Sequence, residues 1–434
     1  MEKYQTSNVR LIIRGRQSIM VKVFKRFKCV VLVMLLIVGV GMIFTGCDSK
    51  KTDKVEVTFW EEDDTTSVDK AWDEIIKDFE SKNENIRVIR IHLEPESLRQ
   101  NYQNSIIAGS GPCIISGPDD NIGTFGTAKA VADIEKVFSE DFLNTIEEKF
   151  LDAAKLDGKL YGIPYITGNT VALLYNKDLV PNAPQTMSEL INIAKKFSDG
   201  KTKYGLVFNL IEPYNYIGFL GAFNGSVFDE ENSITLNTAE MKETIEYLYS
   251  LKNDYRIIPA ECDYNQANYL FKSGKAPFLI NGPWSFKEYK DAGINLGVTC
   301  IPRVDNADYP TPYVSSKVLM FNRNLKGEKL DAAKKFVEFV CNKDNQMKLA
   351  EVMNEFPINK EAIEEIEKLD NAELKGLKEQ IQKSVAMPIV PKMRAVWDGI
   401  KPTFQKVWAG KTNSISAIKE MQKVAEEKAK AFEK

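Results

Sequence analysis

Val55-Glu56-Val57-Thr58-Phe59-Trp60, followed at once by Glu61-Glu62-Asp63-Asp64, is the stretch on which the fold turns. Its β-branched and aromatic residues read as a strand. Beyond it Val68, Trp72, Ile75, Ile76 and Phe79 recur with helical spacing. Ile86 to Leu93 is strand-like, and a second helical run through Ile106-Ile107 stops at Gly109-Ser110-Gly111-Pro112. Ile114-Ile115 then reads as a short buried strand. Strand, helix, strand, helix, strand predicts an α/β domain built on a largely parallel sheet. A ligand in such a sheet sits beyond the carboxyl ends of its strands, where the four consecutive acids lie. They form either a solvated loop or part of a binding site.

Outward from this unit the rhythm repeats. Val171–Tyr175, Tyr204–Leu210, Ala276–Ile280, Asn295–Ile301 and Val314–Phe321 read as strands. Helices are expected over Thr186–Phe197, capped near Thr186 or Ser188, and over Ala239–Leu251. The tail is helical: Asp331–Cys341, Asp344–Met353, Lys360–Leu369, Glu373–Ser384, Met393–Trp408 and Ser414–Phe432.

The N-terminus reads as an export leader. Lys22, Lys25, Arg26 and Lys28 precede an apolar run from Cys29 to Phe44, and Thr45-Gly46-Cys47 follows. The run is shorter than the roughly 20 residues a spanning helix needs. The end of the leader resembles the bacterial lipobox, which implies lipidation at Cys47 and removal of residues 1–46, although Phe44 departs from the usual leucine. An uncleaved membrane anchor is the alternative, and it too would leave the chain outside the cytoplasm. Residues 1–19 are unusual for such a leader and leave open a start at Met20. Residues 47–54 are polar and read as a flexible tether.

Composition excludes several function classes. The leader holds eight Lys/Arg and one acid, so the mature chain carries 50 basic and 60 acidic groups. A surface that acidic repels nucleic acid. His92 is the only histidine, so no histidine-based triad or HExxH zinc site can be built. There is no P-loop, GxGxxG or GxSxG, and no cofactor is expected. Cys113, Cys262, Cys300 and Cys341 lie far apart without metal spacing. One disulfide could form outside the cell, but a chain of this size does not need it, and they are read as free, mostly buried thiols.

Five segments carry a resemblance. They are Leu174-Tyr175-Asn176-Lys177-Asp178-Leu179-Val180-Pro181-Asn182, Phe208-Asn209-Leu210-Ile211-Glu212-Pro213-Tyr214, Asn281-Gly282-Pro283-Trp284, Gly297-Val298-Thr299, and Met387-Pro388-Ile389-Val390-Pro391 with Trp397. From about Val55 onward the chain resembles the extracellular solute-binding proteins of family 1, among them the maltose/maltodextrin-binding proteins of ABC sugar importers. The resemblance implies a periplasmic-binding-protein-like fold, two α/β lobes around a ligand cleft. Lobe 1 would comprise 55–166 with 319–366, and lobe 2 would comprise 170–313 with 374–434. Hinge crossings would fall near 165–169, 313–319 and 366–374. It also implies a monomer, lipid-anchored to the outer face of the bacterial cell membrane, that closes on a carbohydrate and docks on ABC permease subunits.

A pyranose offers an apolar C–H face and a rim of hydroxyls, so aromatic rings with carboxylates and amides suit it. By resemblance Trp284, Trp397 and Tyr214 would stack on sugar rings, Glu212 would accept from hydroxyls, and Asp64, Asp120 and Asn121 would face the ligand from lobe 1. The sequence departs from the maltose-binder pattern at several of these places. Thr65 stands where a lysine is expected, Asn121 for an arginine, Gly117 for a tryptophan and Asp398 for an aromatic. Ile166-Thr167-Gly168-Asn169 lacks the hinge glutamate and is one residue longer. The rivals are a glycosidase using acids such as Glu212 and Asp64, a binder of a peptide or polyamine drawn to Glu61–Asp64, and a chemoreceptor-coupled sensor.

Overall fold

The computed structural model of the chain describes residues 54–63 and 66–432. The leader, Cys47 and all of the tether but Lys54 lie outside the described residues, as do Asp64 and Thr65. Twelve strands occur among the described residues: β1 Val55–Glu61, β2 Ile86–His92, β3 Ile114–Pro118, β4 Lys155–Leu156, β5 Lys159–Leu160, β6 Ile163–Asn169, β7 Ala172–Asn176, β8 Leu206–Val207, β9 Phe278–Asn281, β10 Leu296–Thr299, β11 Tyr313–Phe321 and β12 Val385–Ala386.

They form two main sheets and a small hairpin of β4 and β5. The first sheet runs β12-β11-β3-β1-β2, with β6 also paired to β11. The opening strands follow the expected rhythm, since β1 is parallel to both β2 and β3. The rest departs from the largely parallel expectation. β11 runs antiparallel to β3 and β6, and the second sheet, β10-β7-β9-β8, has only β8–β9 parallel. β11 reverses direction because the chain re-enters the first sheet from the second body.

Each sheet has its own hydrophobic core. The first draws on residues between Val57 and Ile166 and again between Val318 and Leu377. The second draws on Val171 to Tyr313 and on Met387 to Ala425. The helix Thr66–Lys82 buries Val68, Ala71, Trp72, Ile75 and Phe79 on one face, and Trp72 meets Phe59 of β1 edge-on at 5.1 Å between ring centroids. That face is the one the periodicity selects. Helix starts are set by side chains that accept from free backbone N–H groups: Thr186, Thr238, Asn342, Asn359, Asn371 and Asn413 each do so.

The expected strand Tyr204–Leu210 shrinks to Leu206–Val207. Asn209 Oδ1 accepts from the Ile211 amide at 3.0 Å, a local turn that competes with the ladder. Cys113, Cys262 and Cys341 are buried free thiols, and Cys300 is a half-buried one.

Three stretches of chain connect the two bodies. β6 leads into β7, β11 runs back, and the Ala372–Ile381 helix leads onward. In that helix Leu374 and Leu377 join the first core, although the sequence reading assigns them to lobe 2, while Gly376 between them faces the Val298 carbonyl of β10. Where β6 meets β11, Ser315 pairs with Asn169 but Ser316 pairs with Thr167. The skipped residue is Gly168, at φ 105°. The extra residue of the hinge segment is thus a β-bulge that favours glycine.

Candidate functional site

The acids that close β1 do not act as one group. Glu61 is fully buried. It accepts from Arg90 Nε at 2.9 Å, and Arg90 also pairs with Asp69 and Asp73. Asp63 is 5% exposed. It accepts from Trp72 Nε1 at 3.2 Å and from the Tyr165 hydroxyl at 3.1 Å, and it pairs with Lys317. The sequence offered a solvated loop or a ligand contact for this run. Glu61 and Asp63 are neither, because each is held in a buried ionic network. Asp64 lies outside the described residues.

Lys317, on β11, is the hub. Its burial disfavours charge, but the carboxylates of Asp63, Glu355 and Glu62 outweigh that and hold the ammonium charged well above the usual lysine range. Glu355 is 1% exposed and its Oε2 has no hydrogen-bond partner. Burial pushes its carboxyl up to about 7, opposed by Lys317 and aided by Asp63. A carboxyl whose folded pKa is raised gives stability below its ordinary value of 4.5 and loses it as pH climbs towards 7. Glu355→Gln removes that loss. At pH 8 the variant should be about 1–3 kcal/mol more stable than wild type, with little difference at pH 5. Urea unfolding at the two pH values measures this, and equal stability at pH 8 would refute it.

The remaining first-body groups cluster around the end of β3 and the start of the helix that follows it. Glu62 is half-buried and accepts no hydrogen bond from a described residue. Burial raises its carboxyl to about 8, against Lys317 and reinforced by Asp63, Asp120 and Glu61. Asp119 is 4% exposed, and its Oδ2 accepts from the Ser316 amide at 2.9 Å. Asp120 begins the short helix Asn121–Thr127 and is half-buried. Burial lifts Asp120 to about 6, while Arg394 and Arg99 oppose the rise. Asn121 is buried beside Gly117.

The second body contributes the aromatics. Trp284 sits in a single 3-10 turn, Pro283–Ser285, half-buried against the second core. Its indole folds back over Gly282, where a β-carbon would lie 1.9 Å from Cζ3, so only glycine leaves room for the ring. Trp397 lies on the Lys392–Trp408 helix and meets Tyr313 edge-on at 6.1 Å between centroids. The Tyr214 hydroxyl donates to the Asn169 carbonyl at 2.8 Å and lies 3.3 Å from that of Tyr313, two hinge strands. Its hydroxyl is therefore committed to backbone, leaving the ring for stacking. Glu212 precedes Tyr214's turn and pairs with Lys401.

The helix that carries Trp397 ties the two sides together. Arg394, Trp397, Asp398 and Lys401 are spaced i, i+3, i+4 and i+7, so they share a face over about 10 Å. Arg394 lies 3.4 Å from Asp398 on its own helix and 3.4 Å from Glu96 of the first body. Arg99 pairs with Glu96 at 2.6 Å. Beside this bridge the backbones nearly touch, since a β-carbon on Gly123 would lie 1.9 Å from the Ile389 carbonyl oxygen. The structure thus brings Asp120 to one end of this face and Glu212 to the other, with Trp397, Tyr313 and Tyr214 between. Trp284 packs against the same second core as Tyr214 and Trp397. The sequence reading singled out Glu62 within the acidic run and missed Arg99, Lys317, Arg394 and Lys401. The polar stripe flanking Trp397 was the available sign for Arg394 and Lys401. Among the described residues no group of three or more His, Cys, Asp or Glu side chains could hold a metal ion.

Comparison with known proteins places this geometry in context. Residues 74–388 match the family model of the bacterial extracellular solute-binding proteins. A maltotriose-binding protein of Pyrococcus abyssi is 31% identical over 309 residues, covering 70% of this chain and 67% of the relative. A maltooligosaccharide ABC transporter solute-binding lipoprotein of Streptococcus pneumoniae is 26% identical over 394 residues, covering 87% and 92%. The maltose/maltodextrin-binding domain of Bdellovibrio bacteriovorus, solved with maltotriose, superposes with a TM-score of 0.82 at 33% identity, covering 87% of this chain and 100% of that one. With its two cores, its shared hinge strands and a match over most of its length, the chain belongs to the bacterial extracellular solute-binding protein family.

Proposed function

We propose that the chain captures a maltodextrin-type oligosaccharide between its two bodies and delivers it to the membrane subunits of an ABC importer. The observation that carries this reading is the pairing of an aromatic second-body face with a polar first-body rim. Trp284, Trp397 and the Tyr214 ring would cover the apolar faces of the sugar rings. Glu62, Asp120, Asn121 and Glu212 would meet the hydroxyls, with Asp64 joining from the first body. The relatives that bind maltotriose and maltooligosaccharides support the same class of ligand.

Capture works by closure. The Arg394–Glu96 pair spans the two bodies, so it forms only when they approach. A ligand that touches both sides favours that state and shifts the population towards it. The Gly168 bulge and the Tyr214 hydroxyl bonds lie where the chain must bend. Anchoring through lipidated Cys47 on a polar tether would hold a monomer at the outer membrane face near its permease. The leader sequence supports that anchoring, as does the lipoprotein among the relatives. Binding and release need no covalent step, so the acids serve as hydroxyl partners.

Calorimetric titration of the full chain in detergent tests the reading, with maltose, maltotriose, longer maltodextrins, a galactooligosaccharide and spermidine. Maltodextrins should bind and be recovered unchanged. Binding of spermidine with no sugar response would sink the proposal, and shortening of the sugar would turn it into a glycosidase.

A further inference from the structure

Where the backbones of the two bodies come together, the first body presents a glycine. Gly123 lies in the short helix Asn121–Thr127, and its φ is outside the left-handed region. Its own conformation therefore does not require glycine, and alanine would suit a helix better. What requires glycine is the segment opposite. A β-carbon on Gly123 would lie 1.9 Å from the Ile389 carbonyl oxygen and 3.0 Å from the Pro391 nitrogen. Carbon and carbonyl oxygen settle about 3.3–3.6 Å apart. A methyl at this position thus demands a retreat of roughly 1.4 Å.

Local retreat is blocked on both sides. Ile122 and Phe125, which flank Gly123, are fully buried in the first core, and Phe125 packs edge-on against Tyr102 at 4.9 Å between centroids. Opposite them, Ile389 sits within Met387-Pro388-Ile389-Val390-Pro391. The two proline rings fix φ at their own positions and restrict the residues before them. The segment is also pinned at each end. The Met387 amide donates to the Val314 carbonyl of β11 at 3.0 Å, and the Met393 amide donates to the Val390 carbonyl at 2.9 Å. Met387 and Val390 pack into the second core. The group facing Gly123 is backbone, so no rotamer change clears it. Movement of one body against the other remains.

We infer that Gly123 is a positioning residue for closure: its bare Cα against the Ile389 carbonyl is the stop at which the two bodies come to rest, and any side chain there holds the cleft ajar. This deepens the proposed capture and rests on it. The cost falls on the closed state, because opening parts the two segments. A retreat of that size also takes the Arg394–Glu96 pair, now at 3.4 Å, beyond the roughly 4 Å reach of an ion pair. Asp120 begins the same short helix, so the wedge draws it back from the Trp397 face as well.

The test compares the full chain in detergent with Gly123→Ala and with Thr127→Ala, an exposed position on the same helix. Calorimetry with maltotriose reads affinity, and the thermal midpoint without sugar reads folding. Small-angle neutron scattering with the detergent contrast-matched reads compaction at saturating sugar. Wild type should bind and contract. Gly123→Ala should bind about tenfold more weakly and stay more expanded at saturation, with an unchanged or raised midpoint. Thr127→Ala should match wild type in all three. Affinity within about twofold of wild type, or full contraction, in Gly123→Ala overturns the stop and leaves the sugar reading intact. So does a midpoint that falls along with affinity, which marks a packing role, and so does an equal loss in Thr127→Ala. A wild type that ignores maltotriose overturns the sugar reading and the stop with it.

Discussion

Replacing Lys317 with methionine should cost about 3–5 kcal/mol of folding stability at pH 8, the range for breaking a buried ion pair by removing one partner. The side chain is 12% exposed, and the side chain of its partner Asp63 is 2% exposed. Glu355 and Glu62 lean on the same ammonium. Without it three carboxyls face one another with little water to screen them. Protonation of Glu355 and Glu62 relieves this, so the deficit should shrink towards pH 5, where both are already neutral in the fold. Glu355→Gln in the Lys317→Met background should recover part of the loss at pH 8, because it removes one of the stranded charges. Urea unfolding of the two single variants and the double variant gives the coupling directly. A Lys317→Met chain within about 1 kcal/mol of wild type at pH 8 would show that the network is not ionic in the way described.

Trp397→Ala should weaken maltotriose binding by about 30- to 100-fold, equivalent to about 2–3 kcal/mol, and Trp284→Ala by a similar factor. Each indole offers a large flat apolar face, and losing it exposes both the sugar ring and the wall behind it. Trp397 also packs edge-on against Tyr313, so part of its effect reflects a loosened wall. Trp284 stands apart from that contact and isolates the stacking contribution. Tyr214→Phe serves as the contrast. It keeps the ring and removes the hydroxyl that reaches the hinge carbonyls, so it should alter closure more than stacking. Calorimetry gives the affinities, and quenching or enhancement of Trp fluorescence gives the contact. Unchanged affinity in both tryptophan variants would remove these residues from the site.

The sequence showed the elements more clearly than their charges. The β1 strand, the Trp72 helix face and the tail helices follow from local period and capping, so they were legible. The hinge irregularity was visible as one extra residue at Gly168, although its form as a bulge needed the pairing with β11. The roles of Glu61 and Asp63 could not be read. Their partners, Arg90 and Lys317, lie 29 and 254 residues away, and no local pattern links them. Direction within the sheets was lost for the same reason, because β11 is placed by a chain crossing and not by its neighbours. For Gly117 the sequence showed an absence, a small residue in a position where the resemblance calls for a large one. Only geometry shows that the Asn121 amide fills the place a side chain there would take.

The shared strand β11 has a bearing on the order in which the molecule can be assembled. Its first residue, Tyr313, belongs to the second core, and Val318 to Phe321 complete the first. The N-terminal sheet therefore lacks its antiparallel partner until the whole middle of the chain has been synthesised. Contacts separated by so much chain form slowly, because closing a long loop precedes any gain from pairing. The early segments can bury part of their apolar faces together, as Trp72 does against Phe59, but their core stays incomplete without Val318 to Phe321. The fold locks only after β11 and the Gly327–Val340 helix have arrived.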